Sequence, residues 1–158
     1  MTEGKGPVAL LAGDAPGRNS TAYPAPFASR VAGRRKQALG DLFSLSTFGV
    51  NRVTLEPGSQ SSLRHRHRVQ DEFVYLLEGE AVLVHDGGET ILTAGMCAGF
   101  PHGGTAHHLV NRSDSPAIFL EVGDRLPGDG ADYPDDDLAA HGTPEGWRFT
   151  RKNGEPYP

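Results

Sequence analysis

The stretch Gly58–Gly79, GSQSSLRHRHRVQDEFVYLLEG, decides the fold. It carries two histidines one residue apart, His65 and His67, then a carboxylate, Glu72, and a turn glycine, Gly79. A β-strand repeats every two residues, so His65 and His67 point to the same side of one strand. Glu72 opens the run EFVYLLEG, rich in aromatic and β-branched residues, which reads as a neighbouring strand. Two imidazoles and a carboxylate converging from adjacent strands make the first part of a metal shell. A fourth ligand is expected further along, and His107, in the strand-like run TAHHLVNRS, is the candidate.

Outward from that stretch, Phe48 to Val122 reads almost entirely as strand. TFGVNRVTLEPG is a strand ended by Pro57-Gly58, and EAVLVHDGGETILTAG is a hairpin turning at Asp86-Gly87-Gly88. AGFP, TAHHLVNRS and AIFLEVGD follow, and residues 146–153, GWRFTRKN, add a possible last strand. Short strands punctuated by Gly and Pro, with almost no helical periodicity, predict an all-β antiparallel barrel or jelly roll. Alternation assigns the faces. With His65, His67 and Glu72 inward, Leu63, Val74 and Leu76 go with them, while Phe73, Tyr75 and Leu77 face outward. His107 takes Leu109 and Asn111 inward. On the first of these strands either Asn51, Val53 and Leu55 or Phe48, Val50 and Arg52 line the interior. The apolar set Val53, Leu55, Val74, Leu76 and Leu109 predicts a small hydrophobic cavity around the metal.

These residues resemble two motifs of the cupin superfamily. The first, G-x5-H-x-H-x(3,4)-E-x6-G, is matched by His65, His67, Glu72 and Gly79, with Gly58 one residue further ahead than the pattern has it. The second, G-x5-P-x-G-x2-H-x3-N, is matched by Gly95, Pro101, Gly103, His107 and Asn111, with one extra residue before His107. The chain is similar to small single-domain bacterial cupins of the conserved-barrel type. The resemblance implies a double-stranded β-helix in which His65, His67, Glu72 and His107 bind one divalent metal. It makes dioxygenase, decarboxylase, isomerase and lyase chemistry on a small oxygen-bearing molecule all plausible. The rival is a non-catalytic module that binds a small molecule or metal, as a regulatory partner or with a structural ion.

Asp71 competes with Glu72, but only Glu72 gives both motif intervals, and the interval to Asn111 favours His107 over His108. Three imidazoles and a carboxylate suit Fe(II), Mn(II), Zn(II), Ni(II) or Cu(II), since geometry and supply choose among them. No general acid or base side chain is identifiable. His85 and His102 read as surface residues and Cys97 as a buried structural thiol. Tyr23, Tyr75 and Trp147 read as cover for the outer face.

The bounds agree with this picture. The 158 residues suit one domain, read as an extended arm at 1–40, a barrel at 41–124 and a turn-rich extension packing on it at 125–158. Pro24 and Pro26 argue against a helix in the arm. A formal charge of −5 argues against nucleic-acid and anionic-membrane surfaces. The basic run RVAGRRKQALG therefore reads as solvated or ligand-facing. No apolar run approaches the roughly 18 residues that span a bilayer, and the N-terminus lacks a signal pattern. With Cys97 the lone cysteine, a cytoplasmic setting is expected. The apolar outer face of the Glu72 strand needs cover, and a homodimer with exchanged arms is the expected form.

Overall fold

The computed structural model describes residues 6–158, so the first five residues of the expected arm lie outside the described residues. Among the described residues twelve strands form two layers. The first layer is a fully antiparallel sheet of five. Its order is β1 (Arg34–Ala38), β2 (Phe48–Leu55), β9 (Ala117–Asp124), β4 (Glu72–Glu78) and β7 (Cys97–Phe100). The second layer contains β6 (Gly88–Thr93), β5 (Glu80–His85) and β8 (His107–Val110). It continues through single bridges, His65 to His107 and Gln60 to Val110, into the segment that ends in β3 (Arg66–His67). β3 pairs in turn with β10 (Gly130–Asp132), followed by β11 (Ala139–Thr143) and β12 (Gly146–Thr150). This is the expected jelly-roll barrel.

Side-chain alternation sets the core. Val53, Leu55, Val74, Leu76, Leu83, Leu92, Leu109 and Phe119 are buried together between the layers. Phe73, Tyr75 and Leu77 alternate with them and are exposed. The open question on β2 is resolved toward Asn51, Val53 and Leu55, since Val53 and Leu55 are fully buried. Asn111 is buried because it ties down a turn. Its amide donates to the Leu55 and Ser115 carbonyls at 2.9 and 2.8 Å, and its oxygen accepts from Ser113.

Three expectations are corrected. Arg34–Ala38 is not arm but the edge strand of the barrel, in register from Arg34 opposite Leu55 to Ala38 opposite Asn51. Pro24 and Pro26 do not exclude a helix, because Ala25–Ala28 forms one helical turn that starts at them; proline lacks only an N–H that the first turn leaves unpaired anyway. The C-terminal extension does more than pack on the barrel, since its strand β10 hydrogen-bonds the strand carrying His67. A second cluster of Leu63, Ala131, Tyr133, Leu138 and Ala140 seals that junction, with Tyr23, Phe27 and Phe149 packed against it. No helix among the described residues is long and apolar enough to cross a membrane.

The turn from β4 to β5 is made by Gly79, whose φ is +76°. A Cβ there would lie 2.4 Å from the Pro116 carbonyl oxygen and 3.1 Å from the Ala117 Cα, both backbone. Gly79→Ala is therefore expected to cost on the order of 2 kcal/mol or more, from left-handed strain plus a clash that cannot relax by rotamer change. Urea unfolding of the two proteins checks this, and an unchanged midpoint would remove the constraint.

Candidate metal centre

His65 and His67 reach one point because they sit two residues apart on the extended segment that ends in β3, and Glu72 reaches it from β4 in the opposite layer. His65, His67 and Glu72 each offer a ligand atom within 4.8 Å of the others, so this triad can hold a metal ion. The Nε2 atoms of His65 and His67 are 3.2 Å apart. They lie 3.6 and 3.4 Å from the same Glu72 oxygen, Oε2. His107 comes to that oxygen from behind, its Nε2 at 3.0 Å. It is 4 % exposed and stacked on Phe100, with ring centroids 3.5 Å apart.

The outer nitrogens explain why the inner ones converge. Nδ1 of His65 meets the Leu63 carbonyl at 2.9 Å, and Nδ1 of His107 meets the Thr105 carbonyl at 3.3 Å. Nδ1 of His67 meets Asp129 Oδ2 at 2.6 Å. Carbonyls and carboxylates only accept, so each Nδ1 carries a proton, which leaves Nε2 as the nitrogen that hydrogen-bonds Glu72 and that would give its lone pair to a metal ion in place of that bond. Without a metal ion these groups are joined by shared protons, His67 holding one up to about pH 9. The triad of His65, His67 and Glu72 fits a divalent ion, with the outer hydrogen bonds that histidine ligands usually make.

Titration follows the same geometry. Burial raises the Glu72 pKa, yet hydrogen bonds from His107, His65 and His67 outweigh it and hold the group well below the usual carboxylate range. Burial also lowers the His67 pKa, but Glu72 and Asp129 prevail and push it up to about 9. Asp129, anchored further by the Val69 and Gln70 amides, is itself lowered despite burial.

A cavity of about 850 Å³ opens in front of His65, His67 and Glu72. It is not the small hydrophobic pocket expected: the apolar residues named for it are packed solid beneath the cluster. Its walls are mixed: aromatic rings share them with charged and polar groups, Arg34 and Lys36 from β1, Arg18 from the segment bridged to β1, Asn51 from β2 and Glu121 from β9. Lys36 Nζ and Asn51 Nδ2 both contact Glu121 Oε2, at 2.9 and 3.1 Å. Burial raises the Glu121 pKa and Lys36 leads the opposing groups, leaving it lowered.

The basic run does face a ligand space. Arg34 and Lys36 share a side by strand alternation, and the same rule turns Glu121 inward along Ala117, Phe119 and Glu121; that signal was available. Asp129 had none, lying in a turn-rich acidic tail. Tyr23 and Trp147 line the cavity and do not cover the outer face, Trp147 lying 6.0 Å from the His67 ring. Asp71 is exposed and binds His102 at 2.8 Å, away from the cluster. His108 points outward to the Ser62 carbonyl. Cys97 is exposed, not buried, because it faces out beside Tyr75.

A two-layered antiparallel barrel with a histidine–carboxylate cluster at one end defines the class. The Cupin domain family matches residues 51–123. A crystal structure from Silicibacter pomeroyi, described as a sugar phosphate isomerase from a cupin superfamily, is 46% identical, with 94% of this chain and 95% of that chain covered and a TM-score of 0.90. A structure from Acidithiobacillus ferrooxidans, provisionally described as a sugar phosphate isomerase, is 27% identical over 80% of this chain and 81% of that chain, with a TM-score of 0.74. The polyketide cyclase RemF from Streptomyces resistomycificus, 18% identical over 73% of this chain and 78% of that chain at a TM-score of 0.62, shares the fold. A search of curated proteins gives no match. The chain belongs to the cupin superfamily.

Metal must displace the proton that His67 holds below about pH 9 in the metal-free protein. The sign is fixed: a raised pKa means proton competition throughout the neutral range. Affinity for Zn(II) or Mn(II) is expected to rise about tenfold per pH unit from pH 6 to 8. Competition titration with a chelator measures it, and a flat profile would show that no proton is displaced.

Proposed function

We propose that the protein is a metal-dependent isomerase of a phosphorylated sugar, with His65, His67, Glu72 and His107 as the metal ligands. The similarity to the Silicibacter pomeroyi protein supports the reaction class. The observation that carries the reading is chemical. One cavity holds the metal-binding cluster together with Arg18 and Arg34, neither of which forms an ion pair among the described residues. Burial first, and Arg18 last, lower the Arg34 pKa, while Glu121 and Tyr23 raise it. Two cations facing one space with no direct ion pair among the described residues suit a phosphoryl group, and Arg forks match its oxygens.

A divalent ion at the cluster supplies Lewis-acid polarisation of a substrate carbonyl. The chain's own residues do the rest. Arg18 and Arg34 anchor the phosphoryl end, which positions the carbonyl end against the cluster. Trp147, Tyr23 and Phe149 line the walls and limit water around the sugar carbons. The charged and amide groups on the walls favour a ligand that carries hydroxyl and anionic groups over a purely apolar one.

The test is proton NMR of glucose 6-phosphate, mannose 6-phosphate, ribose 5-phosphate and arabinose 5-phosphate with metal-loaded protein. Conversion of one of them to its isomer is expected, abolished by Glu72→Ala with loss of bound metal. Arg34→Ala should raise KM roughly ten- to a hundredfold, the worth of one charged hydrogen bond, with kcat less affected. Retention of a bound small molecule without conversion of any substrate would instead leave a binding module.

We also propose a homodimer through the outer face of the five-stranded sheet. Phe73, Tyr75 and Leu77 stay 37–41 % exposed there, while the arm and the C-terminal extension pack elsewhere in the same chain. With both packed elsewhere, a second copy of the chain is the cover this face calls for. Light scattering should give twice the chain mass, falling to one in Phe73→Glu/Tyr75→Glu. A dilute wild-type monomer would remove the dimer.

A further inference from the structure

Glu121 is a charged group on an otherwise apolar strand face. Ala117 and Phe119 precede it on the same side of β9 and are fully buried in the core. The next inward position leaves the core and enters the cavity. Across the β4–β9 ladder Val74 pairs with Glu121 and Glu72 pairs with Gly123. Glu121 is thus the diagonal neighbour of Glu72, a spacing of roughly 7–8 Å in an antiparallel pair.

Its two oxygens are treated differently. Oε2 takes both Lys36 Nζ and Asn51 Nδ2. Oε1 has no hydrogen-bond partner among the described residues. A carboxylate clamped by one oxygen, with the other free in a cavity, is oriented and still able to accept a proton. Lys36 is committed to that clamp, so the phosphoryl group falls to Arg18 and Arg34. Tyr23 and Tyr133, also on the cavity wall, have pKa values raised chiefly by burial and are poor bases at neutral pH.

We infer that Glu121 is the proton-transfer carboxylate of this site, moving a proton between C2 and C1 of an aldose phosphate; the inference rests on the isomerase reading. Glu121 takes the C2 proton, and the C2–H electron pair forms the C1–C2 double bond as the carbonyl pair withdraws to O1. O1 gains a proton, and the O2 proton is released. The O2 pair then rebuilds a carbonyl at C2, and the C1–C2 pair takes the proton back from Glu121 at C1. One proton has moved from carbon to carbon and one from oxygen to oxygen. No oxidant or reductant is needed. Lys36 and Asn51 act as positioning residues.

The experiment uses the metal-loaded protein in D₂O with the same four aldose phosphates, followed by proton NMR. Wild type is expected to convert one of them with deuterium entering at carbon. Glu121→Gln should lower kcat roughly 10²–10⁴-fold and lose the carbon-bound deuterium, with metal content unchanged. Because Glu121→Gln strands the Lys36 charge, Lys36→Met/Glu121→Gln is made alongside, and it should fold, bind metal and stay as inactive. Wild-type turnover with kcat in Glu121→Gln within threefold overturns the inference and leaves the isomerase reading standing. A lost kcat that tracks lost metal in both variants overturns it too, giving Glu121 a structural part only. If wild type converts none of the four, the isomerase reading falls and takes the inference with it.

Discussion

Three imidazole nitrogens are aimed at one oxygen of Glu72, and the upper end of the barrel is built to keep them there. Bringing four electron-rich groups together in a partly buried place is unfavourable unless a cation joins them. Each histidine therefore has a second tie. Leu63, Thr105 and Asp129 take the outer Nδ1 protons and turn the inner nitrogens toward the centre. Phe100 stacks against His107 and leaves it one orientation. The cluster is a property of those supports as much as of the four side chains.

That requirement links distant parts of the chain. Asp129 reaches His67 only because β10 pairs with β3, and β10 is held there by the packing of Leu63, Tyr133 and Leu138. The other end of the chain is used in the same way. β1 pairs with β2, Arg18 bridges to β1, and both bring cations over the cavity. Segments that look like appendages in the sequence become two of the cavity's walls.

The barrel divides along its axis. One end is filled by aliphatic side chains and Phe119, which leaves no room for a ligand. The other end turns polar within a single residue pair on each strand: Phe119 gives way to Glu121, Val74 to Glu72, Val53 to Asn51. The packed end carries the stability, and the polar end presents a triad that can bind metal, a clamped carboxylate and two guanidinium groups without an ion pair among the described residues to one space. Such a space fits a molecule with a carbonyl at one end and an anion at the other.

Strand alternation is a local rule, and whatever obeys it was legible in the sequence. It placed His65, His67 and Glu72 inward, exposed Phe73, Tyr75 and Leu77, and sent His108 outward from His107. The spacing of two motifs carried the barrel itself. Where the chain folds back on itself, alternation is silent. It did not show Arg34–Ala38 as an edge strand, Asp129 behind His67, or Tyr23 and Trp147 on the cavity wall, because those contacts span 13 to 80 residues and depend on which strands pair. Even Glu121, inward by the same rule, took its meaning from Lys36 and Asn51 on other strands. The residues that can bind metal are local in pattern; the space in front of them exists only after the two ends of the chain close over the barrel.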